Sequence, residues 1–394
     1  MNSLAGIRVI DLTHAISGST CAQMLLQLGA EVIKVEPPRG GDAFRHYTEH
    51  AGLPGLSIPF AAVNAGKQSL TLDLKQDAAR AILWQLIERA DVLTENFRPG
   101  VLARLGFDPD EIARRNPRLI SVSISGFGQT GPLRDWGAYD HIVQAMSGIA
   151  MINAGVDGPQ KIGMPIIDSF SGYLAVIAIL SALRTRDATG VGGRADVAMI
   201  DAALKLIATS VSMYSFTGEA PKGTGNRGFR LVATSEYYRT AEGWIALGAN
   251  MQHQVEALLK VLGHEAMIAD LRFASHDARV LHYDAVKAWL ADVLMGWRAA
   301  DLEPLLTAAG VPAAMLRDVG QIASHPHMAT RGLFQDAVLP GHDAPVTVVG
   351  PGIPADAPAT PPRVPTLGAD TDAVLANLGF DAAAIAQLRA VGAV

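Results

Sequence analysis

The residue best placed for chemistry in this chain is Asp168. It stands at the end of the apolar run Gly163-Met164-Pro165-Ile166-Ile167 and precedes an apolar helical run from Tyr173 to Leu183. An Asp followed by Ser-x-Ser and a helix has the form of a helix N-terminus. A carboxylate there accepts hydrogen bonds from the first free N–H groups and adds about 1 kcal/mol of helix stability. The same position suits covalent catalysis, because an attacking carboxylate must be ionised and the helix dipole favours the anion. On local sequence a plain cap and a nucleophile are both open. The histidines form no ligand-like cluster, since His325-Pro326-His327 is too sparse to hold a metal.

Two further stretches offer polar groups near strand ends. His14 lies in Thr13-His14-Ala15-Ile16-Ser17-Gly18, directly after the β-type run Ile7 to Leu12. Ligands of open α/β sheets bind at the carboxyl ends of strands, so His14 is either a ligand contact or a structural hydrogen-bonding residue. The loop lacks G-x-G-x-x-G, which disfavours an ordinary nicotinamide or flavin enzyme. Pro37 to Arg45 supplies glycines together with Arg39 and Arg45, suited to phosphate oxygens or to a simple solvated turn.

The elements that must position these residues follow a regular rhythm. Strand Ile7–Leu12, helix Cys21–Leu28 closed by Gly29, and strand Glu31–Glu36 make a βαβ unit with a right-handed crossover. Strand Ser69–Leu74, amphipathic helix Asp77–Ala90 and strands Asp91–Phe97 and Leu119–Ser125 continue the pattern. After the Asp168 stretch come strand Arg194–Met199 and a helix from Asp201 to Tyr214. The fold class expected is α/β: a doubly wound, Rossmann-like parallel-sheet large domain over residues 1–216. A boundary falls in the Gly-, Pro-, Lys- and Thr-rich stretch 217–228. A smaller α+β domain is expected over 229–325, with a hairpin from Glu236 to Leu247 that turns near Ala241-Glu242-Gly243. Residues 326–394 form a C-terminal segment expected to return to the large domain. It is extended through Pro351, Pro354, Pro358, Pro361, Pro362 and Pro365 and ends in a helical stretch, Thr371 to Ala390.

Composition narrows the class of partner. Of 394 residues 49% are hydrophobic, enough for a large core, and the net charge is −6 with no basic block. That balance gives a nucleic-acid partner no electrostatic support and leaves any anion to local arginines. The lone cysteine, Cys21, excludes an internal disulfide framework and sits in an apolar run, as an inert buried thiol does. Met1 to Ile7 carries no secretory pattern. The apolar run Tyr173 to Leu183 falls short of the roughly 20 residues that cross a bilayer. A cytoplasmic protein without a membrane partner is expected.

Several stretches together resemble the family III CoA-transferases, of the carnitine CoA-transferase and formyl-CoA transferase type. They are Leu4 to Thr13, Leu28 to Pro37, Gly41-Asp42, Leu72-Asp73-Leu74-Lys75, Ala90-Asp91-Val92 and Glu95-Asn96-Phe97-Arg98-Pro99-Gly100. Ser125 to Pro132, Tyr139-Asp140, Gln144-Ala145, Ser147-Gly148, Asp157-Gly158-Pro159 and Asp168 complete the ordered set, with a looser match from Pro365 to Gly379. The resemblance implies that Asp168 attacks an acyl-CoA thioester, giving an acyl–aspartyl anhydride and CoA thiolate. The thiolate then attacks the aspartyl carbonyl, forming an aspartyl–CoA thioester and releasing the first acid; an incoming acid reverses these steps. It implies CoA or acyl-CoA as substrate, with no tightly bound cofactor and no metal, and an interlaced homodimer.

Carried over by position, the CoA contacts are His14, Ile16, Ser17, Leu72, Lys75, Asn96, Phe97, Arg98, Arg104, Gly137, Tyr139 and Asp140, with Arg104 the foremost phosphate ligand. Where formyl-CoA transferase has an arginine after the strand-ending Glu, this chain has Pro37, so Arg39 or Arg45 is expected to substitute. Gly137 replaces a family lysine and Ile16 a family glutamine. Ala246-Leu247-Gly248-Ala249-Asn250 lacks the four-glycine loop of formyl-CoA transferase, which argues against formyl-CoA and oxalate. A small dicarboxylic acid with succinyl-CoA as donor is favoured on family grounds. Alternatives are an α-methylacyl-CoA racemase, intramolecular CoA transfer within one dicarboxylyl-CoA, and a non-enzymatic CoA-binding protein. The racemases carry a His-Asp pair, whereas here Tyr139 precedes Asp140 and His141 follows it.

Overall fold

Val9 and Ile10 of strand β1 (Arg8–Asp11) are wholly buried, as a parallel strand covered on both faces requires. In the computed structural model, which describes every residue except 1, 49–51, 54, 156, 229 and 354–359, β1 is central to a six-stranded sheet. Its neighbours are β2 (Glu31–Glu36), β3 (Gln68–Thr71), β4 (Val92–Glu95), β5 (Ile120–Ser125) and β6 (Gly193–Ala198). The order is β3-β2-β1-β4-β5-β6 and every pairing is parallel, Val9 lying opposite Val32 on one side and Val92 on the other. The order reverses between β1 and β4, and the crevice beyond the strand ends at such a point is where open α/β sheets take ligands. Residues 12–17 and 96–98 leave the sheet there. Pro354 and Pro358 of the proline-rich stretch, and residue 229 at the expected start of the small domain, lie outside the described residues.

The chain divides into two compact units. The first comprises Met1–Ile149, Ile162–Gly218 and Pro326–Val394; the second comprises Ala150–Lys161 and Glu219–His325. Helices α1 (Ser17–Gln27), α2 (Ile58–Asn64), α3 (Asp77–Glu88), α4 (Val101–Arg104), α5 (Pro109–Arg115), α6 (Asp140–Ser147), α7 (Ile149–Ile152), α8 (Ile166–Thr189), α9 (Met199–Leu206) and α10 (Ala208–Thr217) follow or link the six strands. Strand side chains alternate between faces. Ile10, Ile33, Leu70 and Leu93 meet Ile82, Leu83 and Leu86 of α3, while Val9, Val32, Val92 and Val122 meet Cys21 and Leu25 of α1 and Ala175 and Ile179 of α8. The Cys21 thiol is wholly buried and burial raises its pKa, consistent with an inert core residue.

Three helical stretches here depart from the expectation. α1 starts at Ser17 rather than Cys21, because packing overrides the weak propensity of Ser17-Gly18-Ser19-Thr20; a methyl at Gly18 would lie 2.2 Å from the Thr13 side chain. α8 has 24 residues, starting directly after Pro165 and ending at left-handed Gly190. By length and composition it is therefore sufficient to cross a bilayer, which corrects the shorter helix expected. Its stripe Ile167, Ser171, Ala175, Ile179, Leu183 and Arg186 is buried, and Arg186 Nη1 pairs with Asp91 Oδ1 at 2.8 Å. Tyr173 and Ile177 on another face are exposed. The helix expected from Asp201 to Tyr214 breaks at Ile207, and no residue of α10 is buried.

In the second unit β7 (Tyr237–Arg239) and β8 (Trp244–Leu247) form the hairpin read from the sequence, and β9 (Ala313–Met315) adds an antiparallel third strand. Gly243, at φ +86°, closes the turn by accepting from Thr240 N–H. Helices α11 (Gln252–Val261), α12 (His276–Leu281), α13 (Tyr283–Leu294) and α14 (Ala299–Ala308) pack Val255, Leu258, Leu290 and Leu302 against Ile245 and Leu247. In the first unit, β10 (Phe334–Ala337) and β11 (Val346–Val349) make a separate antiparallel pair. The chain then reaches the open edge of β3: Ser69 N–H donates to Asp370 Oδ2 at 2.8 Å and Asp73 N–H to the Ala393 carbonyl at 2.9 Å. The final stretch is two helices, Thr371–Leu378 and Ala382–Ala390, separated at left-handed Gly379.

α8 packs tightly on α1 at Gly172, where a methyl would sit 2.5 Å from the Ser17 carbonyl oxygen. Gly172→Ala is expected to force the two helices apart and destabilise the protein by about 1–3 kcal/mol. A urea midpoint equal to that of the parent would refute this close contact.

Candidate active site

The first turn of α8 is held by a side chain from another helix. Pro165 occupies the cap position and provides no side-chain acceptor. Asp140, the first residue of α6, takes that role: its Oδ2 accepts from Ile167 N–H at 2.7 Å and Asp168 N–H at 3.1 Å. Its Oδ1 accepts from Gln144 Nε2 at 2.5 Å, one turn further along α6. Gln144 is itself buried and fixed, its Oε1 accepting from Ile162 N–H at 2.8 Å. Asp168 is thus the third residue of its helix and not at the cap position, one of the readings its sequence left open.

This exchange adds to the effect of burial on Asp168. The amides that would favour its anion already serve Asp140. Burial, and then the Asp140 carboxylate nearby, push the Asp168 pKa up to about 7. The carboxyl group is consequently divided between its two protonation states near neutrality, the range in which a group is best suited to exchange roles during a reaction.

The β1–α1 loop is fixed from β4. Asn96 pairs with both backbone groups of His14: Oδ1 accepts from His14 N–H at 2.8 Å and Nδ2 donates to the His14 carbonyl at 2.7 Å. Nδ2 also lies 3.3 Å from Ser17 Oγ. The Phe97 ring stands 5.7 Å from the His14 ring, and Phe97 N–H donates to buried Glu95 Oε2 at 2.8 Å. The structure therefore brings His14, Ser17, Asn96 and Phe97 together, and Gly172 seats the start of α1 against α8.

The remaining sequence candidates occupy several positions. Arg98 is exposed, with Nη2 3.2 Å from where a Cβ on Gly137 would be. Arg98 thus crowds the space that the family lysine's side chain would enter. Tyr139, exposed just before Asp140, stacks parallel to His141 with ring centroids 6.2 Å apart. Arg104 folds back to 3.2 Å from the corresponding position on left-handed Gly100. Leu72 is buried, Lys75 and Arg39 are exposed, and Ile16 is half-buried beside the Phe44 and Phe60 cluster. Arg45 is spent internally: Nε and Nη2 each lie 2.7 Å from a Glu36 oxygen, and Nη1 donates to the Pro365 carbonyl. Of the two arginines expected to replace the residue at Pro37, only Arg39 keeps an exposed side chain.

Sequence reasoning assigned no role to Gln144, Asp42 or Lys34. Gln144 had one usable signal, its spacing of four from Asp140 on a helix. Among the described residues no group of three or more His, Cys, Asp or Glu side chains is arranged to hold a metal ion.

Comparison with known proteins gives the family. The family model described as CoA-transferase family III matches residues 4–371. The chain is 40% identical over 361 residues to the acetyl-CoA:oxalate CoA-transferase of Acetobacter aceti, covering 90% of this chain and 92% of that protein. It is 35% identical over 387 residues to the succinate–glutarate CoA-transferase of Agrobacterium fabrum, covering 95% of each. Among solved structures, a CaiB/BaiF family protein from Brucella suis superposes with a TM-score of 0.86 at 32% identity, covering 96% of this chain and all of that one. With an extended match in sequence and in fold, the chain belongs to CoA-transferase family III and is an enzyme that moves CoA between an acyl-CoA and a carboxylic acid.

Proposed function

We propose that Asp168 is the nucleophile of this transfer, and that it works through an acyl–aspartyl anhydride and an aspartyl–CoA thioester. The observation that carries this reading is the Asp140 carboxylate on the first amides of α8, with Asp168 beside it raised to about 7. A carboxylate of higher basicity is the better nucleophile toward a thioester carbonyl, provided it is ionised when substrate arrives. Attack forms the Asp168 Oδ–acyl bond and expels CoA as thiolate. Return of the thiolate to the Asp168 carbonyl carbon forms the thioester and releases the acid. The second acid enters by the same two steps in reverse.

The loop residues His14, Ile16 and Ser17 and the Asn96-Phe97-Arg98 turn are proposed as the CoA contacts, with Leu72, Lys75, Arg39, Arg104, Gly137, Tyr139 and Asp140. Asn96 acts there through the His14 backbone, and Arg98 supplies the cation beside Gly137 that the family lysine would have brought. The favoured donor is succinyl-CoA or a similar small dicarboxylyl-CoA, in keeping with the name of the Agrobacterium relative. The name of the Acetobacter relative keeps oxalate among the acceptors to assay, although the four-glycine loop is missing. Intramolecular transfer within one dicarboxylyl-CoA uses the same nucleophile. A racemase needs a second base at the α-carbon; His141 stacks on Tyr139 one residue beyond the expected position, which favours the transferase.

Succinyl-CoA incubated without acceptor should leave a CoA thioester on the peptide containing Asp168, removable by hydroxylamine. Deuterium uptake at the α-carbon with no adduct would replace the transferase mechanism by the racemase. Turnover should fall about tenfold per pH unit on the acid side of a limb near pH 7, because only ionised Asp168 attacks. Asp140→Asn keeps an oxygen acceptor for the α8 amides but removes the negative charge that raises Asp168, so the limb should move to lower pH. A limb that stays in place in this variant would dissociate it from Asp168.

We further propose that the enzyme is a homodimer, interlaced as its family resemblance implies. Helix α10, in which no residue is buried and Phe216 is 92% exposed, supports a covering second copy. Light scattering should give twice the chain mass, and Phe216→Asp should shift it toward the monomer. A monomeric parent protein would exclude this assembly.

A further inference from the structure

Ala15 takes a left-handed backbone, φ +57°, in a loop where its neighbours His14 and Ser17 are the proposed CoA contacts. That conformation is disfavoured for every residue with a Cβ, so something must hold it. Asp42 is the only side chain whose hydrogen bond to Ala15 N–H is seen among the described residues: its Oδ1 accepts at 3.2 Å. The same oxygen accepts from Phe44 N–H at 2.9 Å and lies 3.6 Å from His14 Nδ1. Its Oδ2 is ion-paired with Lys34 Nζ at 3.0 Å, and Lys34 Nζ donates onward to the Thr13 carbonyl at 2.7 Å. Asp42 and Lys34 are both wholly buried. The carboxylate is anchored in turn by its own N–H, which donates to Glu36 Oε1 at 3.0 Å.

Successive backbone groups of the loop are therefore claimed from below. Lys34 takes the Thr13 carbonyl, Asn96 takes both groups of His14, and Asp42 takes Ala15 N–H. A loop without glycine is fixed by side chains of β2, of the turn after β2 and of β4. We propose that Asp42 is a positioning residue for acyl-CoA binding: it pins Ala15 in the left-handed region and so presents His14 and Ser17 to the substrate. This rests on the reading of the loop as a CoA contact. Asp42 touches no substrate atom itself; its effect passes through Ala15 and His14.

The test compares five variants for KM toward succinyl-CoA, kcat, and the Kd of free CoA by calorimetry. Asp42→Asn keeps an oxygen acceptor but loses the charge that strengthens its bond to Ala15 N–H and its pair with Lys34, and should raise KM and Kd roughly tenfold, with kcat within about twofold. Adding Ala15→Gly to that variant should recover most of the loss, because glycine adopts the left-handed backbone without strain. Ala15→Val leaves Asp42 and Lys34 untouched and should raise KM similarly, so it decides the matter should Asp42→Asn unfold in a circular-dichroism melt. Unchanged KM in Asp42→Asn and Ala15→Val, while His14→Ala weakens CoA binding, overturns the positioning role and leaves the loop as a contact. Unchanged CoA affinity in His14→Ala and Ser17→Ala as well overturns the underlying assignment of the loop.

Discussion

Six charged side chains have been taken out of water beneath the carboxyl ends of β1 and β2, and they stay there only because each is paired. Asp11 is bonded to Lys67 at 2.9 Å, Asp42 to Lys34 at 3.0 Å and Glu36 to Arg45 at 2.7 Å, every partner being essentially inaccessible. An ion buried without its partner carries a penalty of several kcal/mol. Burial alone would raise the pKa of Glu36, but Arg45, Lys34 and the Asp42 N–H together outweigh it and hold the carboxylate below its ordinary range. Lys67 also donates to the Ser19 carbonyl in α1, and Ser69 of β3 to Glu36. The ionic layer thus joins β1, β2, β3 and the first helix, and the loop above it inherits its shape from those bonds.

A different balance governs Asp168, the proposed nucleophile. Helix N-termini usually stabilise an anion on the helix itself. In α8 those amides serve Asp140, a carboxylate from α6, while burial and then the Asp140 charge disfavour ionisation of Asp168. Two acids near one helix start are thereby set apart: Asp140 holds the amides of the first turn, and Asp168 is left without them. Gln144 sets the orientation of the first and, through Ile162, ties it to the segment that leads into α8.

Much of this architecture was legible from residue order. Alternating apolar strands, the stop signals at Gly29 and Pro37-Pro38, and the amphipathic run after Asp77 define the parallel sheet and its crossovers. Asp168 was legible as a chemically distinct residue beside a helix start. Its cap was not, because Asp140 lies 28 positions earlier and only tertiary packing brings the two together. The pairing of Asn96 with His14 spans 82 positions and is hidden for the same reason. The start of α1 was misplaced because Ser17-Gly18-Ser19-Thr20 reads as a loop by propensity, while the fit of Gly18 against Thr13 settles it as helix. The extent of α8 was underestimated because polar Ser169 and Ser171 interrupt its apolar pattern near the start, although Ser171 faces the interior.

The return of the chain to β3 imposes an order of events on synthesis. β3 is an edge strand, and its outer side is satisfied by Asp370 and Thr371, with Ala393 closing on Asp73 just beyond. At ribosomal speeds the interval between making Thr71 and Thr371 is roughly half a minute. Throughout it the nascent sheet carries an unsealed margin of backbone donors and acceptors, the kind of surface that recruits stray strands. The whole second unit is made during that interval, so the margin can be sealed only after its residues have been added.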